Sequence, residues 1–380
     1  MTNDQRECFF TGGRIADLQS SAESLVEAGA KSLMILASEG DNWQPESLDP
    51  WLRSQSVPIF GGVFPSIIHG TQRHDRGTLV LGFHEAVQVA VVTALSDRHG
   101  LEPQLQALMP LLGDATSMLT LVDGLSANIE SFVDSLYEMF GAKTPVVGGG
   151  AGYLDFVQRP CLFCRLGMIE DAALLVALES RIDSGIAHGW EKLEGPFLAT
   201  RSHANVLEEL NYSPAFDVYR QIVEEHSGMR FSESGYLAIS KTYPLGIESV
   251  DGDFLVRDPI RHVDGHLVCV GEVPQNATVY LLKGDAERLI ASAGDAAEQA
   301  LHGRCSRLNG DDSQHYRALV FDCISRVMFL DEDFTAELQA IDHALPGAAS
   351  VVGVLSLGEI ANSTCGAIEL MNKSTVVTVY

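Results

Sequence analysis

Apolar and polar positions follow one another along the chain in an order that predicts helices and strands in a repeated unit. The segments SLMILASEG (32–40) and SMLTLVDGL (117–125) are apolar runs of strand length. Amphipathic stretches precede both runs, and further helical stretches, LDPWLRSQ and IESFVDSLYEMF, follow them. Each series closes on proline, two apolar residues and glycines, PIFGGVFP at 58–65 and PVVGGGAG at 145–152. The pattern therefore predicts a helix–strand–helix–strand unit that occurs twice.

A looser third copy of this unit lies near the carboxyl end. DAERLIASAGDAAEQAL and DFTAELQAIDHAL have helical patterns, while RALVFDC and ASVVGVLSLGEI have the apolar character of strands. Between the second and third copies, residues 250–258 and 261–270 each carry Asp-Gly between apolar runs, which predicts antiparallel hairpins. We therefore predict a mixed α/β (α+β) fold of duplicated units in helix-covered sheets, with an antiparallel portion in the C-terminal half. The polar stretch 224–235 predicts a domain boundary, which divides the chain into 1–228 and 229–380.

Composition excludes two classes of partner. The 51 acidic and 25 basic residues give a formal net charge of −26, so the surface repels nucleic-acid phosphates and anionic lipid headgroups. The amino terminus shows no export signal, and the most apolar long window contains His84 and Glu85, which argues against a membrane span. We therefore expect a cytoplasmic protein whose seven cysteines are reduced thiols. This includes Cys161 and Cys164, whose spacing lacks the second pair that a zinc site needs.

The glycines of the second unit allow two interpretations. Gly148, Gly149 and Gly150 lie at the end of a predicted strand, but they do not form the G-x-G-x-x-G fingerprint of dinucleotide-binding proteins. They either let this strand pack closely against neighbouring protein, or they face a ligand in a crevice beyond the strand ends. Because 58–65 repeats the pattern, we expect the two glycine-containing segments to lie near each other.

Three residues at the predicted strand ends of the third copy offer binding or catalytic chemistry. Arg326 and Glu359 could hold the carboxylate and the amine of an amino acid, or they could pair with each other. Cys323 could act as a nucleophile if a histidine base lay in reach, and the chain order identifies no such base.

Histidines offer a further kind of site. His188, in IAHGW, is either an ordinary surface residue or an axial ligand of a flat cofactor such as haem. His262 and His266 flank an Asp-Gly turn, where two histidines alone do not specify a metal site.

In their order along the chain, these segments resemble the FIST family of intracellular sensory proteins. The amino-terminal half carries VVGGGAG, DAALLVAL, HGW and NVLEELNYSPAFDVY, and the carboxyl-terminal half carries YPLGI, FLVRDP, LVCVGEVPQNATV, ALVFDCISR and LSLGEI. The resemblance implies a FIST N-type domain at 1–228, a FIST C-type domain at 229–380, and a ligand sensor rather than an enzyme. A free-standing chain of this kind is similar to the bacterial haem-binding nitric oxide sensors of the family, which control biofilm behaviour. Those proteins act on a separate histidine kinase or a cyclic-di-GMP enzyme, a diguanylate cyclase or phosphodiesterase.

This resemblance implies haem b held without covalent attachment, because the chain has no C-x-x-C-H motif. His188 is the first candidate for the iron ligand, followed by His69 in SIIHGTQ and His203 in TRSHAN. We therefore predict a cytoplasmic haem-based nitric oxide sensor, compatible with a homodimer. The alternatives are an amino-acid sensor that uses Arg326 and Glu359, and a thiol-dependent enzyme that uses Cys323.

Overall fold

Three copies of the predicted unit make up most of the fold, and each copy continues into a hairpin and a return strand. The computed structural model describes residues 6–249, 252–308, 316–363 and 365–380. Copy 1 consists of β1 (Glu7–Phe10), α1 (Ile15–Glu27), β2 (Ser32–Ser38), α2 (Pro45–Ser54), β3 (Ile59–Phe64), β4 (Ser66–His69), β5 (Gln72–His74) and β6 (Thr78–Phe83). Copy 2 consists of β7 (Gln88–Thr93), α3 (Arg98–Leu112), β8 (Ser117–Asp123), α4 (Ile129–Phe140), β9 (Val146–Ala151), β10 (Leu162–Cys164), β11 (Gly167–Ile169) and β12 (Ala172–Leu178).

Copy 3 begins with β13 (Asp183–Ala187) and is then interrupted by residues 188–285, which we call the insert. The insert contains β14 (Glu191–His203), β15 (Val206–Leu210), β16 (Ser213–Pro214), α5 (Ala215–Ser227), α6 (Phe231–Ser234), α7 (Tyr236–Ser240), β17 (Leu245–Glu248), β18 (Phe254–Val263), β19 (His266–Val270) and β20 (Thr278–Lys283). Copy 3 resumes with α8 (Ala286–Arg307), β21 (Tyr316–Cys323), α9 (Ile324–Leu330), α10 (Phe334–Ala344), β22 (Ala348–Ser356), β23 (Glu359–Asn362), β24 (Ile368–Met371) and β25 (Thr375–Val379).

Each copy builds one six-stranded sheet around a parallel pair of strands. The parallel pairs are β2–β3, β8–β9 and β21–β22, and the return strands β6, β12 and β25 lie antiparallel beside them. The strands β2, β8 and β21 are buried at every residue, as expected where a central strand is covered on both faces. The predicted α/β fold with duplicated units is therefore confirmed, and the third copy is as complete as the first two.

In each of these sheets, the hairpin at one edge is supplied by a copy other than the one that builds the rest of the sheet. The hairpin β10–β11 of copy 2 extends the sheet of copy 1, β23–β24 of copy 3 extends that of copy 2, and β4–β5 of copy 1 extends that of copy 3. This exchange is cyclic. Each copy is therefore joined to both of the others by strand pairing. Of the four sheets that the described residues form, three contain strands from both sides of the predicted boundary at 228/229, which lies at the end of α5 inside the insert.

The glycine-containing segments meet where the three copies join. The amide of Gly152 donates to the carbonyl oxygen of Val63 (2.8 Å), and the amide of Leu357 donates to that of Gly150 (2.9 Å). The predicted proximity of 58–65 and 145–152 is thus confirmed. Leu357, in the turn after β22, contacts the second of these segments. A side chain at Gly149 would lie 3.0 Å from Phe321 and Ser356, so the glycine makes room for close packing between copies. All six residues of β9 are buried, Gly148, Gly149 and Gly150 among them, and their predicted contact with a ligand stays a prediction.

The insert contains the predicted antiparallel portion, but it begins before the C-terminal half, because β14, β15 and β16 precede residue 229. Its seven strands follow the order β14-β20-β17-β18-β19-β15-β16, and an additional β14–β15 pairing curls the sheet toward a barrel. The β18–β19 hairpin turns at Asp264 and Gly265, both with positive φ, as its Asp-Gly sequence predicts. In the other predicted hairpin, between β17 and β18, Asp251 lies outside the described residues. None of the described helices combines the length and apolar character that crossing a membrane requires.

Candidate functional site

The carboxyl ends of the three parallel strand pairs are the places where α/β sheets usually bind ligands, and they differ strongly in chemistry. In copy 1, Trp43 Nε1 donates to Thr78 Oγ1 (2.9 Å), whose hydroxyl donates to Asp41 Oδ2 (2.8 Å). In copy 2, the side chain of Gln158 and a backbone amide donate to Asp123. Copy 3 instead buries a thiol and five ionisable side chains near its strand ends, which we call the buried charge cluster. Its members are Asp322, Cys323, Arg326, Glu337, Glu359 and Lys373.

Arg326 is the centre of the cluster and is completely buried. It lies in the first turn of α9, where its Nε and Nη2 donate to the two carboxylate oxygens of Glu337 at 2.8 and 2.6 Å. Asp322 Oδ1 lies 3.4 Å from the same Nε. The other N–H groups donate to the backbone carbonyls of His188 (2.7 Å), Leu289 (2.8 Å) and Lys373 (3.3 Å). Arg326 therefore pairs with Glu337 and Asp322 rather than with Glu359, and a ligand carboxylate would have to displace an existing acceptor.

Glu359 is held by donors from two neighbouring segments. Ser356 Oγ donates to its Oε1 at 2.7 Å, and the amide of Ser374 approaches its Oε2 at 3.4 Å. Gly149, opposite Glu359 in the β9–β23 pair, leaves the space that Ser356 occupies. Burial raises the pKa of Glu359 to about 8, so the carboxyl group is largely protonated at neutral pH.

Cys323 ends β21 beside Glu359 and is also buried. Burial raises the pKa of the thiol far above its ordinary value, and the negative charge of Glu359 in its ionised form adds to this shift. A nucleophilic thiol requires the opposite, a lowered pKa and partial exposure. The environment of Cys323 is therefore that of a structural thiol.

This environment predicts a low reactivity for Cys323. We expect native protein at neutral pH to be alkylated at Cys323 on the order of 100-fold more slowly than at the exposed Cys305 and Cys365. Peptide mass spectrometry after timed iodoacetamide exposure measures all three sites in one sample, and urea-unfolded protein supplies the control in which the rates converge. Rapid labelling of Cys323 in folded protein would instead favour the thiol-dependent enzyme.

Lys373 connects the buried charge cluster to the insert. Its Nζ lies 3.2 Å from Asp258 Oδ2 of β18, donates to the carbonyl of Lys241 (3.0 Å), and lies 4.9 Å from the ring centre of Trp190. Trp190 Nε1 in turn donates to the carbonyl of Lys373 at 3.0 Å. The contact between the insert and copy 3 is thus built on buried polar groups whose hydrogen bonds depend on one geometry.

A cavity of about 180 Å³ lies beside this contact, and we call it the His188 cavity. Its walls come from β13 and His188, from the β17–β18 hairpin, from α8 and from the β23–β25 segment. Two of its lining residues also touch the cluster: the carbonyl of His188 accepts from Arg326, and the amide of Ser374 faces Glu359. The cavity is therefore in direct contact with the groups that join copy 3 to the insert.

The surroundings of His188 do not fit an iron ligand. The amide of Trp190 donates to Nδ1 at 2.9 Å, and Nε2 lies 3.0 Å from Asp253 Oδ1, so both ring nitrogens are engaged. The cavity is also smaller than the roughly 300–1,000 Å³ of typical cofactor pockets, and nine of the fourteen described residues that line it are polar.

The other histidines singled out from the sequence lie elsewhere. His69 ends β4, with its Nε2 3.4 Å from Glu7 Oε1, and His203 is exposed at the end of β14. His262 stacks on Phe216 with ring centres 3.8 Å apart, and its pairing with Leu267 leaves His266 on the opposite face of the hairpin. Across the part of the chain that the structure describes, no three His, Cys, Asp or Glu side chains are arranged to hold a metal ion.

A broader surface groove of about 1,110 Å³ lies along α5 and α6, away from the buried charge cluster. Its charged side chains pair with one another across short distances: Arg220 with Asp217 (2.9 Å) and Arg230 with Glu224 (2.8 Å). We favour the smaller His188 cavity because it adjoins buried polar groups, whereas the groove is an open surface between internally paired charges.

Sequence reasoning identified Cys323, Arg326 and Glu359 but missed two partners for which the sequence carries a signal. Glu337 stands on the apolar stripe of α10, between Phe334 and Ile341, where a charged residue predicts a buried partner. Lys373 lies just before the apolar strand TVVTV. A charged side chain at such a position likewise predicts burial beside a partner.

Comparison with known families agrees with this architecture. The family model of the FIST N domain matches residues 32–213, and that of the FIST C domain matches residues 215–362. The junction between the two matches lies at the start of α5, within the insert. No protein of curated function matches the chain significantly. FIST domains are associated with sensory signal transduction and with the binding of small ligands. The two matches together span most of the sequence, and this protein therefore belongs to the FIST family.

Proposed function

We propose that this FIST protein senses a small organic molecule in the His188 cavity and signals through a change in how the insert packs on copy 3. The observation that carries the proposal is the position of the cavity. It lies between copy 3 and the insert and shares His188 and Ser374 with the polar contacts that hold them together. A molecule bound there touches both parts at once.

The buried charge cluster gives such binding a physical effect at a distance. A ligand that moves the backbone at His188 or Ser374 changes an acceptor of Arg326 or a donor to Glu359. A buried polar group that loses its partner costs about 1–3 kcal/mol, so the contact favours discrete packings over gradual deformation. A partner that binds one packing better then reads the ligand as a shift in population.

The partner that we propose is a separate histidine kinase or cyclic-di-GMP enzyme, on the basis of the sequence resemblance. The same resemblance supports a competing proposal, nitric oxide sensing through haem b in a bacterial cytoplasm. Haem at His188 would require a much wider cavity and the release of one ring nitrogen from Trp190 or Asp253. A small polar molecule requires neither change.

A cavity-filling variant tests the proposal. A screen of small metabolites by thermal shift should yield ligands that stabilise the native protein, by about 2.7 kcal/mol at 100 times Kd. We expect Ser184→Leu, which fills the His188 cavity, to abolish these shifts. Ser232→Leu, the same substitution at the α5–α6 groove, should leave them unchanged. The melting temperatures of both variants without ligand control for damage to the fold.

Other outcomes would contradict the proposal. Shifts that survive in Ser184→Leu but disappear in Ser232→Leu would place the site in the groove. A sharp Soret band with haemin that responds to nitric oxide and is lost in His188→Ala would favour the haem sensor.

A further inference from the structure

We propose that Asp322 and Glu337 share one proton inside the buried charge cluster, and that the loss of this proton at alkaline pH loosens the contact between copy 3 and the insert. The two carboxyl groups and Arg326 thereby form a pH-sensitive switch. The switch does not depend on what the His188 cavity binds, so it stands or falls separately from the proposed function.

The balance of charge around Arg326 is the first reason. Among the described residues, its guanidinium is the one cation in contact with Asp322 and Glu337, and all three side chains are completely buried. With both carboxyl groups ionised, the three side chains would carry a net negative charge away from water, which is strongly unfavourable. One bound proton makes the group neutral as a whole.

The geometry places the proton on Asp322 rather than on Glu337. Arg326 donates to both oxygens of Glu337, at 2.8 and 2.6 Å, in the two-point arrangement that suits an ionised carboxylate. Asp322 has Oδ1 3.4 Å from the same Nε, and Thr375 Oγ1 donates to this oxygen at 3.0 Å. Its other oxygen, Oδ2, is buried and accepts no hydrogen bond. A carboxylate oxygen would need a donor there, whereas the O–H of a carboxylic acid is itself a donor.

The titration of Asp322 agrees with this placement. Burial raises the pKa of Asp322 well above its ordinary value, the negative charge of Glu337 and a hydrogen bond to it raise the pKa further, and Arg326 opposes these effects. A pKa that is higher in the folded than in the unfolded state gives stability that is lost as pH rises through the folded value. The switch therefore opens in the alkaline direction.

The other groups around Arg326 do not replace this proton. Cys323 of β21 and Glu359 of β23 face the same guanidinium, and burial raises the pKa of both, so each is mostly neutral at pH 7. Lys373 has its Nζ 3.2 Å from Asp258. From α8 and β25, the cluster receives uncharged groups, the carbonyl of Leu289 and the hydroxyl of Thr375.

The loss of the proton reaches the insert through Arg326. Its Nη1 donates to the carbonyls of His188 (2.7 Å) and Lys373 (3.3 Å), and Trp190 of the insert donates to the second of these carbonyls. A second ionised carboxylate draws the guanidinium away from its present acceptors. Buried acceptors that lose a donor destabilise the packing around them, and here that packing joins copy 3 to the insert.

Infrared difference spectroscopy of the full chain at pH 7 tests the proton directly. The carbonyl-stretching region of buried carboxylic acids should contain one band that Asp322→Asn removes and another that Glu359→Gln removes. The surface variant Asp217→Asn should remove neither band. If Asp322→Asn removes no band, Asp322 is ionised and the proposal fails. A band that Glu337→Gln removes and Asp322→Asn keeps would place the proton on Glu337 and overturn the assignment.

Hydrogen exchange tests the effect on the insert. In the native protein, the amides of 189–192 and 372–375 should exchange at least about tenfold faster at pH 9.5 than at pH 7, after correction for the intrinsic pH dependence of exchange. Asp322→Asn carries an amide that donates to Glu337 at both pH values, so it should stay protected. The amides of β2 in copy 1 are the internal control and should respond in neither protein. Equal acceleration in both proteins, or none in the native protein, would overturn the switch.

Discussion

Replacing Arg326 by methionine is expected to lower the free energy of unfolding by about 3–5 kcal/mol. The substitution removes the only cation bonded to Glu337 in the described structure and also the ion pair with Asp322, and all three side chains are fully buried. A buried carboxylate without a partner must either remain charged in a poorly polarisable environment or take up a proton. The carbonyls of His188, Leu289 and Lys373 lose a donor as well, which adds to the loss.

Chemical unfolding followed by circular dichroism measures this effect, with two companion variants. Arg220→Met removes a cation that pairs with Asp217 at the surface, and it should change stability by no more than about 0.5 kcal/mol. Arg326→Met combined with Glu337→Leu should recover part of the lost stability, because the double variant removes the abandoned charge together with its partner. A loss below 1 kcal/mol in Arg326→Met would mean that the cluster does not hold copy 3 together.

The second large effect is a decline in stability with rising pH that depends on Glu359. Burial raises the pKa of this carboxyl group from 4.5 to about 8. Between these two values the folded protein keeps a proton that the unfolded chain releases, so the unfolded state binds fewer protons. The free energy of unfolding therefore falls as pH rises through this window, by at most about 1.4 kcal/mol per pH unit from this group, and levels off above pH 8.

Glu359→Gln separates this contribution from those of other groups. The amide does not titrate, so the variant should lose less stability than the native protein between pH 5 and pH 8. Asp322, whose pKa burial also raises, titrates in the same direction in both proteins and cancels in the difference. Equal slopes in the two proteins would show that Glu359 keeps an ordinary pKa despite its burial.

Much of the fold follows from local patterns. Apolar runs of strand length between amphipathic stretches predicted all three parallel strand pairs, because burial on both faces of a central strand demands uninterrupted apolar sequence. The Asp-Gly pair at 264–265 predicted its hairpin because it favours the positive φ values of that turn. The glycines at 148–150 indicated a close approach of the backbone, but they left open whether protein or ligand would lie opposite.

The site was harder to predict because its contacts join distant parts of the chain. Arg326 was identified as a binding residue, yet the acceptors that occupy it include Glu337, eleven residues away, and the carbonyl of His188, 138 residues away. His188 stood out beside Gly189 and Trp190 as a candidate iron ligand. Its contact with Asp253 joins residues 65 positions apart within the insert, and only the folded insert brings them together.

The sequence by itself determined the repeated unit, an antiparallel portion with hairpins and the family, since each depends on patterns of residues near one another in the chain. Only the tertiary structure decided the cyclic exchange of hairpins, the partners of the buried charges and the cavity beside them. Strand pairing and burial are cooperative, long-range interactions, and a side chain's neighbours are set by which sheets share an edge rather than by its own flanking residues.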